Sequence, residues 1–335
     1  MAESAKSGVQ KTQLIREMSM FSNLSHSVSP MKFIRLSVLS SAMIMGASFT
    51  TSMHAADVKE VFQTVQQNGK DLKANANLVM AEGSNLADGV VLLTHGTLTH
   101  KERSTYKHLQ QNLANAGVNS LAINLTLGLD NRHGEYDCAV PHKHKHTDAL
   151  QEMGVWLDWL KSQGAENITL VGHSRGGNQT AWFADQAAYE GFERVVLVAP
   201  AFNGPSEVEY NAKSKVKLAK YLSVADQLQK EGKAQSLIKG MNFIYCTDAQ
   251  ASAEAVLDYY QDQAGYHTIE LLKEAKKPVL VAIGSEDNVV EGLQDALDSV
   301  NNELVSAVVV EDADHFFLDF ANEDLATAIS EFIAN

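Results

Sequence analysis

The octapeptide Leu170-Val171-Gly172-His173-Ser174-Arg175-Gly176-Gly177 (LVGHSRGG) sets one serine between two glycines at the point where an apolar run stops. Its left flank, residues 168–171, is short and apolar and predicts a strand, while residues 178–189 on its right predict a helix. A strand that ends in Gly-X-Ser-X-Gly and turns at once into a helix holds its serine on a tight, strained bend at the carboxyl edge of a sheet. Gly172 and Gly176 suit such a bend because a Cβ at either position would crowd the turn. Five residues alone match by chance, so the flanking elements carry the reading.

Outward from that bend, short β-branched runs alternate with longer helical patterns. Strands are predicted at 89–94, 120–125, 195–198, 278–283 and 305–310. Helices are predicted at 106–116, stopped by Gly117, at 146–163, around 293–300, and at 322–333. The second of these places Leu150, Met153, Trp156, Leu157 and Leu160 on one face and ends at Gly164. Asn68-Gly69 between residues 61–66 and 72–79 reads as the turn of an opening antiparallel hairpin. Continuous apolar strands separated by helices imply an α/β fold, a mostly parallel sheet of about eight strands with helices on both faces. The alternation lapses from about 202 to 262, where helical stretches such as 215–228 predict a helical cap over the carboxyl edge.

The chain has 335 residues, 45% hydrophobic and 20% charged, with a formal net charge of −14. An acidic body repels phosphate backbones, which argues against a nucleic-acid partner and favours a small neutral or cationic substrate. Met31-Lys32-Phe33-Ile34-Arg35 is basic, residues 36–49 are apolar or small, and Met53-His54-Ala55-Ala56 follows, the order of a secretory signal peptide. Residues 1–30 therefore read as a leader without fold, 31–56 as the signal peptide, and 57–335 as the folded domain, periplasmic or secreted. No stable membrane anchor is expected, because the apolar run is short of the roughly 20 residues a span needs. Cys138 and Cys246 are the two cysteines; an oxidising compartment favours a bridge between them, and two separate buried thiols are the alternative.

A serine hydroxyl becomes a nucleophile when a positioned imidazole takes its proton and a carboxylate orients that imidazole. The turn after strand 278–283 holds Gly284-Ser285-Glu286-Asp287, and the turn after strand 305–310 holds Glu311-Asp312-Ala313-Asp314-His315. Ser174, Asp287 and His315 thus fall on one edge of one sheet. Asp312, Asp314 and Glu286 are rivals to Asp287 for the acid. The early strand ends in Thr94-His95-Gly96-Thr97, where a glycine lets backbone N–H groups approach a developing oxyanion.

Taken together, THGT (94–97), GHSRGG (172–177), GSEDNVV (284–290) and ADHFF (313–317) resemble the α/β-hydrolase superfamily over roughly residues 88–333. The resemblance implies Ser174 as nucleophile, Asp287 as acid, His315 as base, and the backbone N–H groups of Thr97 and Arg175 as oxyanion donors. It implies a serine hydrolase that cleaves an acyl bond through an acyl-enzyme, with a carboxylesterase or lipase-like activity favoured and no cofactor or metal expected. A peptidase or thioesterase of the same fold is the nearer alternative, and a non-catalytic binding protein on this scaffold the further one. His173 is expected to project to the far side of the bend as a packing residue. His133, His142, His144 and His146 read as part of a polar loop at the mouth of the cleft, and Lys213, Lys215, Lys217 and Lys220 as a solvated helix face.

Overall fold

The computed structural model describes residues 57–335 and the short strand Phe33–Arg35. The expected leader and the rest of the expected signal segment lie outside the described residues. The strands are β1 (Phe33–Arg35), β2 (Val58–Gln67), β3 (Lys70–Val79), β4 (Val90–Thr94), β5 (Asn119–Asn124), β6 (Ile168–His173), β7 (Arg194–Val198), β8 (Leu237–Phe243), β9 (Cys246–Ser252), β10 (Val279–Gly284) and β11 (Val305–Val310). The helices are α1 (Ser104–Asn115), α2 (Asp148–Ser162), α3 (Arg175–Asp185), α4 (Glu207–Lys213), α5 (Leu218–Lys230), α6 (Ala253–Tyr260), α7 (Thr268–Lys273), α8 (Leu293–Leu297) and α9 (Phe320–Ala334).

Nine strands form the main sheet in the order β1-β11-β10-β7-β6-β4-β5-β3-β2. Only the β2–β3 and β3–β5 pairs are antiparallel; the others run parallel. The β2–β3 hairpin closes at Asn68-Gly69, both with positive φ (51° and 71°), as the mirror-image turn of a twisted ribbon requires. Along β4, Val90 and Leu92 face one core and Val91 and Leu93 the other, because successive strand side chains alternate. Trp156, Leu157 and Leu160 of α2 fill the first core; Leu109 and Leu113 of α1 with Leu325 and Ile329 of α9 fill the second. With both faces covered, every ligand-accessible strand end lies at the sheet's edge.

The cap differs from the all-helical insertion that the sequence predicts. Between α5 and α6 it contains the antiparallel hairpin β8–β9. Ile238, Met241 and Phe243 are the buried residues of β8, and their spacing departs from simple alternation because the register shifts between Lys239 and Met241 and again before Phe243. The loop from β5 to α2 joins this hairpin: His142 N–H donates to Gln250 O, and Ser252 N–H donates to His142 O. Cys138 in that loop is disulfide-bonded to Cys246 at the start of β9, 108 residues away in sequence.

The histidines of the same loop also depart from expectation. His142, His144 and His146 are buried, whereas Lys143 is exposed and Lys145 half-buried against Asp148, a period of two that turns the imidazoles inward. Their surroundings are the rings of Tyr136, Phe243 and Tyr259. His133 alone faces solvent, against Glu60. Aromatic cover from the cap, absent from any local pattern, buries His142 and His144, and at His146 it is joined by Trp182 and Tyr266. Lys213, Lys215, Lys217 and Lys220 are all exposed, as a solvated face requires.

One carboxyl on α2 gives the fold a pH-dependent stability. Glu152 is buried; Thr126 N–H donates to one of its oxygens at 2.8 Å and Thr126 Oγ1 lies 2.6 Å from the other. Burial outweighs these contacts and pushes its pKa from 4.5 up to about 7. A carboxyl raised in the folded state stabilises fully below its unfolded pKa, and that contribution drains away as pH climbs from 4.5 to 7. Urea unfolding of wild type and Glu152→Gln across pH 4.5 to 8 is expected to show the free-energy difference between them moving by about 3 kcal/mol in favour of the glutamine. A difference that stays constant over this range would disprove the assignment.

Candidate active site

Ser174 sits between β6 and α3 with φ 57° and ψ −123°, a backbone conformation that side-chain-bearing residues rarely adopt. The neighbouring glycines make the bend possible. A Cβ on Gly172 would stand 2.3 Å from Gly176 O, and one on Gly176 would stand 2.3 Å from His95 O. Ser174 N–H donates to Val198 O, and Ser174 O accepts the N–H groups of Gly177 and Ala201, so the strained turn is tied on both sides. The bend leaves the serine half-buried while most of its neighbours are inaccessible.

The turns after β10 and β11 deliver the two other residues. Ser174 Oγ lies 2.9 Å from His315 Nε2, and His315 Nδ1 lies 2.8 Å from Asp287 Oδ2. With Nδ1–H donating to the carboxylate, Nε2 is left to accept the serine proton. The side chains of His315 and Asp287 are only 6% and 3% exposed, so their contact is shielded from water. Burial pulls the Asp287 carboxyl upward, but the hydrogen bond from His315 and those from the Val289 and Val290 N–H groups outweigh it, and its pKa is lowered. Of the rival acids, Asp314 accepts its own loop's Phe316 N–H, and Asp287 is the carboxylate that meets the imidazole.

Thr97 and Arg175 converge on the serine from different elements. The loop after β4 runs so close that a Cβ on Gly96 would lie 3.2 Å from Ser174 Cβ. Arg175 is the first residue of α3, where a backbone N–H has no intrahelical acceptor and the helix dipole favours negative charge. Arg175 Nε donates to Thr97 Oγ1 at 3.1 Å, which holds the two segments together.

Sequence reasoning missed the network behind this site. Gly96 N–H donates to Tyr106 Oη, Tyr106 O–H donates to His173 Nδ1 at 2.8 Å, and His173 Nε2–H donates to His315 O at 2.7 Å. A single chain of hydrogen bonds therefore ties the Gly96 loop to the backbone of the His315 loop. His173 does project to the far side of the bend, as expected, and burial, aided by His315, pushes its pKa down to about 3, so it stays neutral. His95 is held neutral likewise, its pKa pushed to about 3 by burial and Arg132. No local signal marks Tyr106, because its partner is 67 residues away. An apolar cavity of about 260 Å³ between α3, α7 and the first residues of β7 and β10 shares no residue with this site.

A nine-stranded sheet with this strand order, a serine on a strained strand-to-helix bend and an imidazole–carboxylate pair at two later strand ends define an α/β-hydrolase. More narrowly, the chain belongs to the serine aminopeptidase S33 family, whose family model matches residues 85–320. It is a hydrolase. Among solved structures it is similar to Est1E from Butyrivibrio proteoclasticus, at 18% identity and a TM-score of 0.54 over 82% of this chain and 97% of that one. An esterase of Pyrococcus furiosus is similar at 15% identity and a TM-score of 0.52, over 88% and 96%. The thioesterase domain from the curacin biosynthetic pathway is similar at 14% identity and a TM-score of 0.50, over 83% and 100%. No curated protein matches the chain.

Proposed function

We propose that this protein is a carboxylic-ester hydrolase that works through an acyl-enzyme on Ser174. The observation that carries the proposal is the unbroken line from Ser174 Oγ to His315 Nε2 and from His315 Nδ1 to Asp287, at 2.9 and 2.8 Å. His315 takes the hydroxyl proton as Oγ attacks the acyl carbonyl, and Asp287 stabilises the imidazolium that forms. The backbone N–H groups of Thr97 and Arg175 receive the oxyanion, each such donor lowering the barrier by about 3 to 4 kcal/mol. His315 then returns its proton to the leaving oxygen, and water, activated by the same imidazole, releases the acid.

A serine at the bend supports acyl transfer over chemistry that begins with an aspartate ester. The family description keeps aminopeptidase activity as the second reading. Export to an oxidising compartment belongs to the same proposal and is supported by the Cys138–Cys246 bridge. A fluorophosphonate probe is expected to label wild type at Ser174 and nowhere else, with p-nitrophenyl esters turned over faster than aminoacyl anilides. Absence of labelling on folded protein would remove the nucleophile, and faster anilide turnover would replace the esterase reading with the peptidase.

A further inference from the structure

Arg175 carries two separate groups, a backbone N–H beside Ser174 and a guanidinium that reaches away from it. The guanidinium is half-buried; its Nε donates to Thr97 Oγ1, one Nη meets His146 Nδ1 at 3.4 Å, and its Cζ stands 5.5 Å from the centre of the Tyr259 ring. A guanidinium has five N–H donors, and these contacts engage two of them. Arg132 is the contrast, because it spends its donors on Leu125 O, Gly134 O, Thr99 O, Asn124 Oδ1 and His95 Nε2.

None of the ion pairs among the described residues includes Arg175. The groups that face it from the loop and the cap are neutral: Thr97, His146 and Tyr259. A partly desolvated cation without a counter-charge is unfavourable in the free protein, and a ligand that brings a negative charge offsets that cost. In a chain with a formal charge of −14, such a cation next to the nucleophile is a local exception to the overall field.

Its direction assigns a side of the substrate. His315 and Asp287 approach Ser174 from β11 and β10, whereas Thr97 and His146 follow β4 and β5, on the other side of β6. The leaving oxygen has to sit by His315 to collect its proton, so the acyl portion extends towards β4 and β5, where the guanidinium is. We infer that the substrate's acyl group carries a carboxylate a few bonds from the scissile carbonyl and that the Arg175 guanidinium receives it, an inference that rests on the acyl-transfer reading above.

The test compares p-nitrophenyl hydrogen glutarate with p-nitrophenyl pentanoate, which differ at the far end of the acyl chain. Wild type is expected to favour the charged ester in kcat/KM by about 10- to 100-fold, the range of a charge-assisted hydrogen-bonded pair. Arg175→Gln should bring that ratio to about one or below, and Arg175→Lys should keep part of it. Because Arg175 also supplies a backbone donor, rates of the variants are read only as this ratio, from which a common loss cancels. Equal losses on both esters would mean that the side chain merely braces Thr97, and the inference falls. So does a preference seen only when the charge is on the leaving side, as with 4-carboxyphenyl butyrate against phenyl butyrate. If no ester is turned over by folded protein, the acyl-transfer reading fails by itself. The anion site is then judged by glutarate, which should raise the melting temperature of wild type and not that of Arg175→Gln.

Discussion

Replacing Ser174 with alanine is expected to lower kcat on a p-nitrophenyl ester by about 10⁴ to 10⁶, with KM changed only a few-fold. In the proposed reaction the Ser174 hydroxyl oxygen forms the covalent bond, and its neighbour His173 offers no substitute, because it points away and is committed to Tyr106 and His315 O. His315→Ala should cost about as much, because a serine without a base at 2.9 Å keeps its proton. The double variant should be no slower than either single one, since the residues act as a unit and removing one disables the other. Asp287→Asn leaves the packing intact but offers an amide where the Nδ1–H needs a carboxylate, and a loss of about 10⁴ is expected. Turnover normalised to folded protein checks these values. Retention of a tenth of wild-type activity by Ser174→Ala or His315→Ala would overturn the proposed chemistry.

The parts of this architecture that a local steric rule dictates are readable from the residues in order. Gly172 is demanded by its close approach to Gly176 O within the bend, while Gly176 answers to His95 O of the loop after β4, yet both belong to one short Gly-X-Ser-X-Gly motif, so the position of Ser174 follows from a few consecutive letters. Asp287 and His315 are legible for a related reason: each lies just past the end of an apolar run, and a parallel sheet brings all such ends to one edge. The β8–β9 hairpin escaped because Gly240 (φ 73°) and two register shifts destroy the alternation that would announce a strand. The burial of His142, His144 and His146 was hidden for another reason. Imidazoles read as polar, and what makes them interior is the cover of Phe243 and Tyr259, about 100 residues downstream in the chain, joined at His146 by Trp182 and Tyr266. The Tyr106–His173 link belongs to the same class of long-range contact. Local rules therefore reach the reacting atoms more readily than the supports behind them.

One of those supports is covalent, and its removal is expected to have the largest effect on stability. Opening the Cys138–Cys246 bridge releases a loop closed across 108 residues, and for a loop of roughly 100 residues the chain-entropy estimate is about 4 to 5 kcal/mol. For a domain of this size, with each kcal/mol worth about 2 to 4 °C, the double variant Cys138→Ala/Cys246→Ala should melt roughly 10 to 15 °C lower. The weakening should concentrate in the cap. Besides the bridge, the β5–α2 loop holds the hairpin through the hydrogen bonds of His142 with Gln250 and Ser252, whereas the main sheet has its own ladder. Protease cleavage of the variant is therefore expected within 202–262 before any cut in β4, β6 or β10. Reductant supplies the control: it should shift the melting of wild type towards that of the variant and leave the variant unmoved. The His144–Tyr259 bond and the Arg175 contact with Tyr259 also join this loop and the bend to the cap, so a loosened cap should weaken selectivity for the acyl group more than it slows proton transfer from Ser174 to His315. A variant that melts with wild type, or that is cut first in the sheet, would show that the bridge closes a segment already held firmly by its hydrogen bonds.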